Sequence, residues 1–144
     1  MGGRRLRFVV GVEGLSFDSA NYTLGESEKC LNLHGHTFRV SVEVLGEIRG
    51  ESGMVLDFTT LKRIVREVVE EFDHKVILPK GHVSSTIIQG PFKTEIKELK
   101  YPHATAEYIA LEMAERIYER LKMPLRLKLY EGTSNYVIIE LGEW

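Results

Sequence analysis

The stretch Cys30-Leu31-Asn32-Leu33-His34-Gly35-His36 concentrates side chains that can bind metals or move protons. On a strand, the period of two turns His34 and His36 to one side, which is the spacing a divalent metal needs for two imidazole ligands. Five histidines in 144 residues also fall two apart by chance, so spacing alone leaves both readings open. Near a metal or another cation, the Cys30 thiolate forms at neutral pH and can abstract a proton or attack carbon. Taken singly, a lone cysteine is more often a small buried hydrophobe. Asp73-His74 sets a carboxylate beside an imidazole, which holds the ring's tautomer and suits a proton shuttle, or is simply a solvated helix end. Glu131, next to Gly132, could accept two N–H donors from a guanidine-like heterocycle edge, or serve as a turn carboxylate. Thr105 and Glu107 read most simply as a helix N-terminus, the hydroxyl capping and the carboxylate favoured by the dipole.

Period-two apolar patterns predict the strands that must place these groups: Arg4 to Val12 and on through Phe17, Thr37 to Ile48, Leu125 to Tyr130, and Asn135 to Leu141. Gly11 and Gly14 suggest a bulge in the first. Residues 131–134 contain the glycine that a hairpin between the last two needs. Apolar residues three and four apart predict one helix capped by Asp57 and running to about Phe72, and another capped by Thr105 and running to about Lys122. Residues 18–33 and 73–103 read as loops, the second long enough to be functional or mobile. The order strand, strand, helix, helix, strand, strand predicts an α+β fold, an antiparallel sheet with helices on one face.

Composition bounds the function classes. A chain of 144 residues, 43% hydrophobic, is sized for one domain spanning 1–144. A net charge of −2 with 28% charged residues provides no basic field for nucleic acid. One cysteine excludes an internal disulfide and a Cys-pair zinc site. The apolar run Phe8-Val9-Val10 is too short for a signal peptide, and no stretch approaches the ~18 apolar residues of a membrane span. The expectation is a soluble, cytoplasmic protein.

Taken in order, Phe17-Asp18-Ser19-Ala20, Cys30-x-x-x-His34-Gly35-His36, Gly53-Met54-Val55-Leu56-Asp57-Phe58 with Leu61-Lys62, Asp73-His74, Thr105-Ala106-Glu107 and Tyr130-Glu131 resemble the 6-pyruvoyl-tetrahydropterin and 6-carboxytetrahydropterin synthase family. The likeness runs from about residue 5 to 141 and leaves 79–101 as an apparent insertion. The three residues between Cys30 and His34 resemble the carboxytetrahydropterin branch. The resemblance implies the tunnelling fold, ββααββ, with a four-stranded antiparallel sheet and two helices on one face. It also implies a homohexamer of two stacked trimers with active sites between subunits, and 7,8-dihydroneopterin triphosphate as substrate. Zn2+ would be the sole cofactor, held by His34 and His36. Cys30, Asp73 and His74 would be catalytic, the last two facing Cys30 of a neighbouring subunit. Glu131 would anchor the amino-pyrimidine edge, helped by Thr105 and Glu107. The family's branches supply pterin synthesis or, through queuosine, modified tRNA nucleosides.

One position departs from the family pattern. Where the resemblance places a third zinc-binding histidine, this chain has Asn21, whose amide oxygen is a harder and weaker donor for zinc. His82 or His103 would be the substitutes from elsewhere in the chain. Two functions follow: a zinc-dependent lyase with Asn21 in the third metal position, or a paralogue that binds a pterin or purine-like ring without turnover.

Overall fold

Alternation of apolar and polar residues sets the central sheet. Strands β1 (Phe8–Asn21) and β2 (His34–Gly46) pair antiparallel, from Phe8 opposite Gly46 to Asn21 opposite His34. Leu15, Phe17, Phe38, Val40, Val42 and Val44 share one face and are buried. The register slips between Val12 and Leu15, where Gly14 takes φ 83°, a conformation a side chain would strain, so the expected bulge is present. Strand β5 (Leu125–Glu131) lies antiparallel to β2, and β6 (Asn135–Leu141) folds back on it through a turn with Gly132 at φ 73°. The computed structural model describes residues 4–144, so residues 1–3 of the expected domain lie outside the described residues.

Both long helices form where the caps and stripes predict. In α2 (Phe58–Glu70) the Asp57 carboxylate accepts the Thr59 N–H at 2.7 Å, and in α3 (Ala106–Leu121) the Thr105 hydroxyl accepts the Tyr108 N–H at 3.3 Å. Leu61, Ile64, Val65, Val68 and Val69 from the first, with Ile109, Ala110, Met113, Ala114 and Ile117 from the second, join the inward sheet residues in one core. Phe17 stacks on Phe38 at 4.8 Å between centroids, and Phe72 lies 6.2 Å from Phe17. Burial of each large apolar side chain contributes about 1.5–3 kcal/mol. Among the described residues, no helix is long and apolar enough to cross a membrane.

The four-stranded, ββααββ expectation is corrected to six strands and three helices. Residues 18–21 continue β1, and a one-turn helix α1 (Glu28–Leu31), capped by Ser27, forms inside the predicted 18–33 loop. Two short strands fall within the predicted 73–103 loop. β3 (Lys75–Leu78) runs parallel to β1, and β4 (Ile96–Glu98) runs parallel to β3, giving the order β4-β3-β1-β2-β5-β6. The 79–101 segment is therefore anchored at its far end. Lys97 of β4 lies 3.0 Å from the buried carboxylate of Glu112 on α3, which also accepts the Lys100 N–H at 2.7 Å. A three-residue strand held by pairing and a buried ion pair leaves no local periodicity to read.

Candidate active site

The end of the sheet where β1 finishes and β2 begins presents two different faces. On the helix-covered face, Phe17, Ser19 and Asn21 from β1 lie opposite Phe38, His36 and His34 from β2. Glu131, opposite Phe38 on β5, continues the same face. The His34 and His36 rings meet edge-on at 4.6 Å between centroids. His34 Nδ1 lies 2.6 Å from the Asn32 carbonyl. A carbonyl only accepts, so this nitrogen carries the proton and Nε2 keeps its lone pair. His36 Nε2 lies 3.6 Å from Glu131 Oε1.

Asn21 is 1% exposed, and its Nδ2 donates to the Ala104 carbonyl at 2.8 Å, one residue before the Thr105 cap. That bond fixes the amide's orientation, because only the nitrogen can face a carbonyl. The other end, Oδ1, is buried and has no hydrogen-bond partner, as is the Ser19 hydroxyl. A buried orphan acceptor beside two imidazoles is what a divalent cation would satisfy, so the residues present fit a metal with two nitrogen donors and one oxygen donor. The Asn21 bond brings the Thr105 cap, the residue after Ala104, to this end, while Glu107 is exposed on the first turn of α3. The Tyr22 hydroxyl meets His82 Nδ1, and His103 stacks on Tyr108 at 6.4 Å. Cys30, half-buried at the C-terminal part of α1, is tied to the strand end by its carbonyl, which accepts the Thr23 N–H at 2.8 Å.

The opposite face carries Asp18 and Thr37, a directly paired couple, together with Asp73 and His74. Asp73 Oδ1 accepts the Asp18 N–H at 3.0 Å and lies 2.8 Å from His74 Nδ1. Partial burial pushes the Asp73 carboxyl up, but bonds from the Asp18 N–H and the His74 ring outweigh it and hold the group below the usual carboxylate range. Ligand atoms of Asp18, Asp73 and His74 lie within 4.8 Å of one another, close enough to hold a cation. A cavity of about 680 Å³ opens here, bordered by Thr37, His74, Lys75 and, from the 79–101 segment, Phe92 and Glu95. It also reaches His36.

The predicted site residues thus fall into two groups. His34, His36, Asn21 and Glu131 share one face with the Thr105 cap near its border, Asp73 and His74 lie on the other, and among the described residues Cys30 on α1 is joined by no side-chain hydrogen bond to either. Asp18 and Thr37 are additions. Their signal was present, because period-two alternation sets Asp18 apart from the buried Phe17 and Ser19, but nothing in the sequence ties it to Asp73, 55 residues on.

A mixed six-stranded sheet that gathers histidines and carboxylates at one end narrows the class, and comparison with known proteins names it. The family model for 6-pyruvoyl tetrahydropterin synthase matches residues 12–141. A Haemophilus influenzae 6-carboxy-5,6,7,8-tetrahydropterin synthase is 34% identical over 79% of this chain and 82% of its own length. A Pyrococcus furiosus dihydroneopterin monophosphate aldolase is 36% identical over 87% of this chain and 91% of its own. The fold superposes on a catalytic-residue variant of Plasmodium vivax 6-pyruvoyltetrahydropterin synthase with a TM-score of 0.79, covering 96% of this chain and 100% of that one at 23% identity. The chain belongs to the 6-pyruvoyl tetrahydropterin synthase family. It is a tetrahydropterin synthase-like lyase, an enzyme that processes pterins.

Proposed function

We propose that this chain is a zinc-dependent lyase that converts 7,8-dihydroneopterin triphosphate to 6-carboxy-5,6,7,8-tetrahydropterin or a related tetrahydropterin. The observation that carries the reading is the buried, unpartnered Asn21 Oδ1 set across from His34 and beside His36. These three residues would hold the ion. When bound, zinc would act as a Lewis acid on the oxygens of the substrate side chain and make the neighbouring C–H more acidic. Glu131 accepts from the N–H groups of the amino-pyrimidine edge and sets the ring's depth, with the Thr105–Glu107 turn beside it. Cys30 takes the proton released at the side-chain carbon. Asp73 fixes Nδ1–H of His74, so Nε2 is the nitrogen free to accept and return a proton. On this reading, the relay of one subunit serves the metal face of the next, and the working unit is a cytoplasmic hexamer of two trimers. The product would feed pterin or modified tRNA nucleoside synthesis.

The test measures metal content of the purified protein and its turnover of dihydroneopterin triphosphate. Dihydroneopterin monophosphate is assayed alongside, because the Pyrococcus furiosus relative carries that substrate in its name. Stoichiometric zinc with a tetrahydropterin product is the expected result. Turnover of the monophosphate alone would overturn the substrate. Pterin binding with no metal and no product would establish the second reading, a ring-binding paralogue.

A further inference from the structure

Asp18 has no part in the chemistry above, yet the bonds that shape the Asp73–His74 pair run through it. Its Oδ1 accepts the Thr37 hydroxyl at 2.5 Å, its N–H donates to Asp73 Oδ1 at 3.0 Å, and its carbonyl accepts the His74 N–H at 2.6 Å. His74 has φ 57°, a left-handed conformation that a residue with a Cβ keeps only when its surroundings impose it. Its side chain is 78% exposed, so packing does not fix the ring. What holds it is the Asp73 carboxylate on Nδ1, itself bonded to the β1 backbone at Asp18, and a second carboxylate, Asp18, whose oxygen lies within 4.8 Å of a ring nitrogen. The cations bordering the cavity are Lys75 and Lys93, and Lys75 is already 2.9 Å from Glu95.

We propose that Asp18, oriented by Thr37, is a positioning residue for the Asp73–His74 pair. The backbone of residue 18 sets the height and turn of the pair. Its carboxylate, pinned by the Thr37 hydroxyl, stands beside the imidazole and supports the positive charge that His74 carries while it holds the relayed proton. The ring then stays in one tautomer, with Nε2 free at the cavity, instead of rotating in solvent. This rests on the relay role assigned to His74 above. Displacement of a reacting group by about 1 Å costs about 100-fold in rate, so a loosened ring should lower kcat while leaving pterin recognition at Glu131 intact.

The experiment uses the full-length protein with 15N-labelled histidine, and the variants Asp18→Asn, Thr37→Val and Thr37→Ser. Ring-nitrogen NMR reads the His74 tautomer directly and does not depend on the substrate being the right one. Steady-state kinetics with dihydroneopterin triphosphate separate kcat from KM. The expected result is one Nδ1–H tautomer in the wild type and a mixture in Asp18→Asn and Thr37→Val. In those two variants kcat falls by about tenfold or more with KM within about twofold, and Thr37→Ser, which keeps the hydroxyl, recovers the wild-type behaviour. Thr37→Val preserves shape and β-branching at an exposed strand position, so it folds even if Asp18→Asn does not. Ring signals identical to wild type in Thr37→Val, or a kcat that falls only in step with thermal stability and is not recovered by serine, would overturn the proposal. Variant-dependent ring signals in a protein inert toward both dihydroneopterin phosphates would support the positioning role and overturn the assigned reaction.

Discussion

The two faces at the end of β1 and β2 are built from alternate residues of the same strands, and they solve opposite problems. On the helix-covered face, Asn21 Oδ1 and Ser19 Oγ are buried without partners, and the two imidazoles lean on each other rather than on protein acceptors alone. On the other face, Asp18, Thr37, Asp73 and His74 are bonded to one another, and the ring is open to solvent. Buried polar atoms left unmatched cost free energy that a ligand can recover, whereas a satisfied and exposed cluster is already set and needs only something to act on. On the proposed reading, the first face would take the ion and the pterin edge, and the second would supply the proton relay.

That contrast breaks most sharply at the histidines. His34→Ala or His36→Ala should lower metal affinity by at least about 100-fold, since loss of a mere outer-shell partner costs up to that much, and turnover should vanish with the metal; equilibrium dialysis against zinc reads it. A fully loaded His34→Ala protein would move the metal elsewhere, with the Asp18–Asp73–His74 cluster as the alternative. If the proposed relay is right, His74→Gln should give the converse: a kcat lower by about 100- to 10,000-fold with zinc content unchanged.

The anchor of the 79–101 segment sharpens the comparison at smaller scale. Glu112→Ala leaves Lys97 without its closest carboxylate and the Lys100 N–H without an acceptor, and should destabilise the fold by about 3 kcal/mol in urea unfolding. If the segment walls the relay cavity through Phe92 and Glu95, kcat should fall more than zinc affinity in this variant.

The smallest effects are those of pH. Asp73 is held below its ordinary value in the folded chain, so the stability it contributes is present above the unfolded carboxylate range and is lost as pH falls through the folded value. Asp73→Asn should therefore flatten the stability profile below about pH 4. Tyr101 behaves oppositely. Its bond to Glu115 and partial burial push its hydroxyl up to about 12, so its contribution is complete below about pH 10 and is lost as pH rises through about 12. Tyr101→Phe should remove that alkaline slope and leave the acid one in place.

What could be read from the residues follows from where each constraint lies in the chain. The caps Asp57 and Thr105 and the Gly14 bulge are local, and they stand where spacing put them. That His34 and His36 share a face was legible because their strand alternates cleanly, whereas Glu131 lies one residue past the expected strand and is marked only by its place beside Gly132 and by the family resemblance. Lys75–Leu78 was not, because four apolar-leaning residues before Pro79 pair with β1 more than fifty positions back, and only tertiary contact makes them a strand. Lys97 and Glu112 form a buried ion pair across fifteen residues, and Asp18 serves Asp73 across fifty-five; no sequence period encodes either.

If Cys30 and the Asp73–His74 pair are halves of one site that meet only between chains, a protein lacking Cys30 and a protein lacking His74 each keep the other half. Cys30→Ala and His74→Gln chains, each inactive on dihydroneopterin triphosphate, are mixed, unfolded and refolded together, and turnover is compared with each refolded alone. Recovered activity in the mixed sample alone is the predicted result. No recovery in mixed assemblies shown by mass spectrometry to contain both chains would contradict it, and would place both halves of the site within a single subunit.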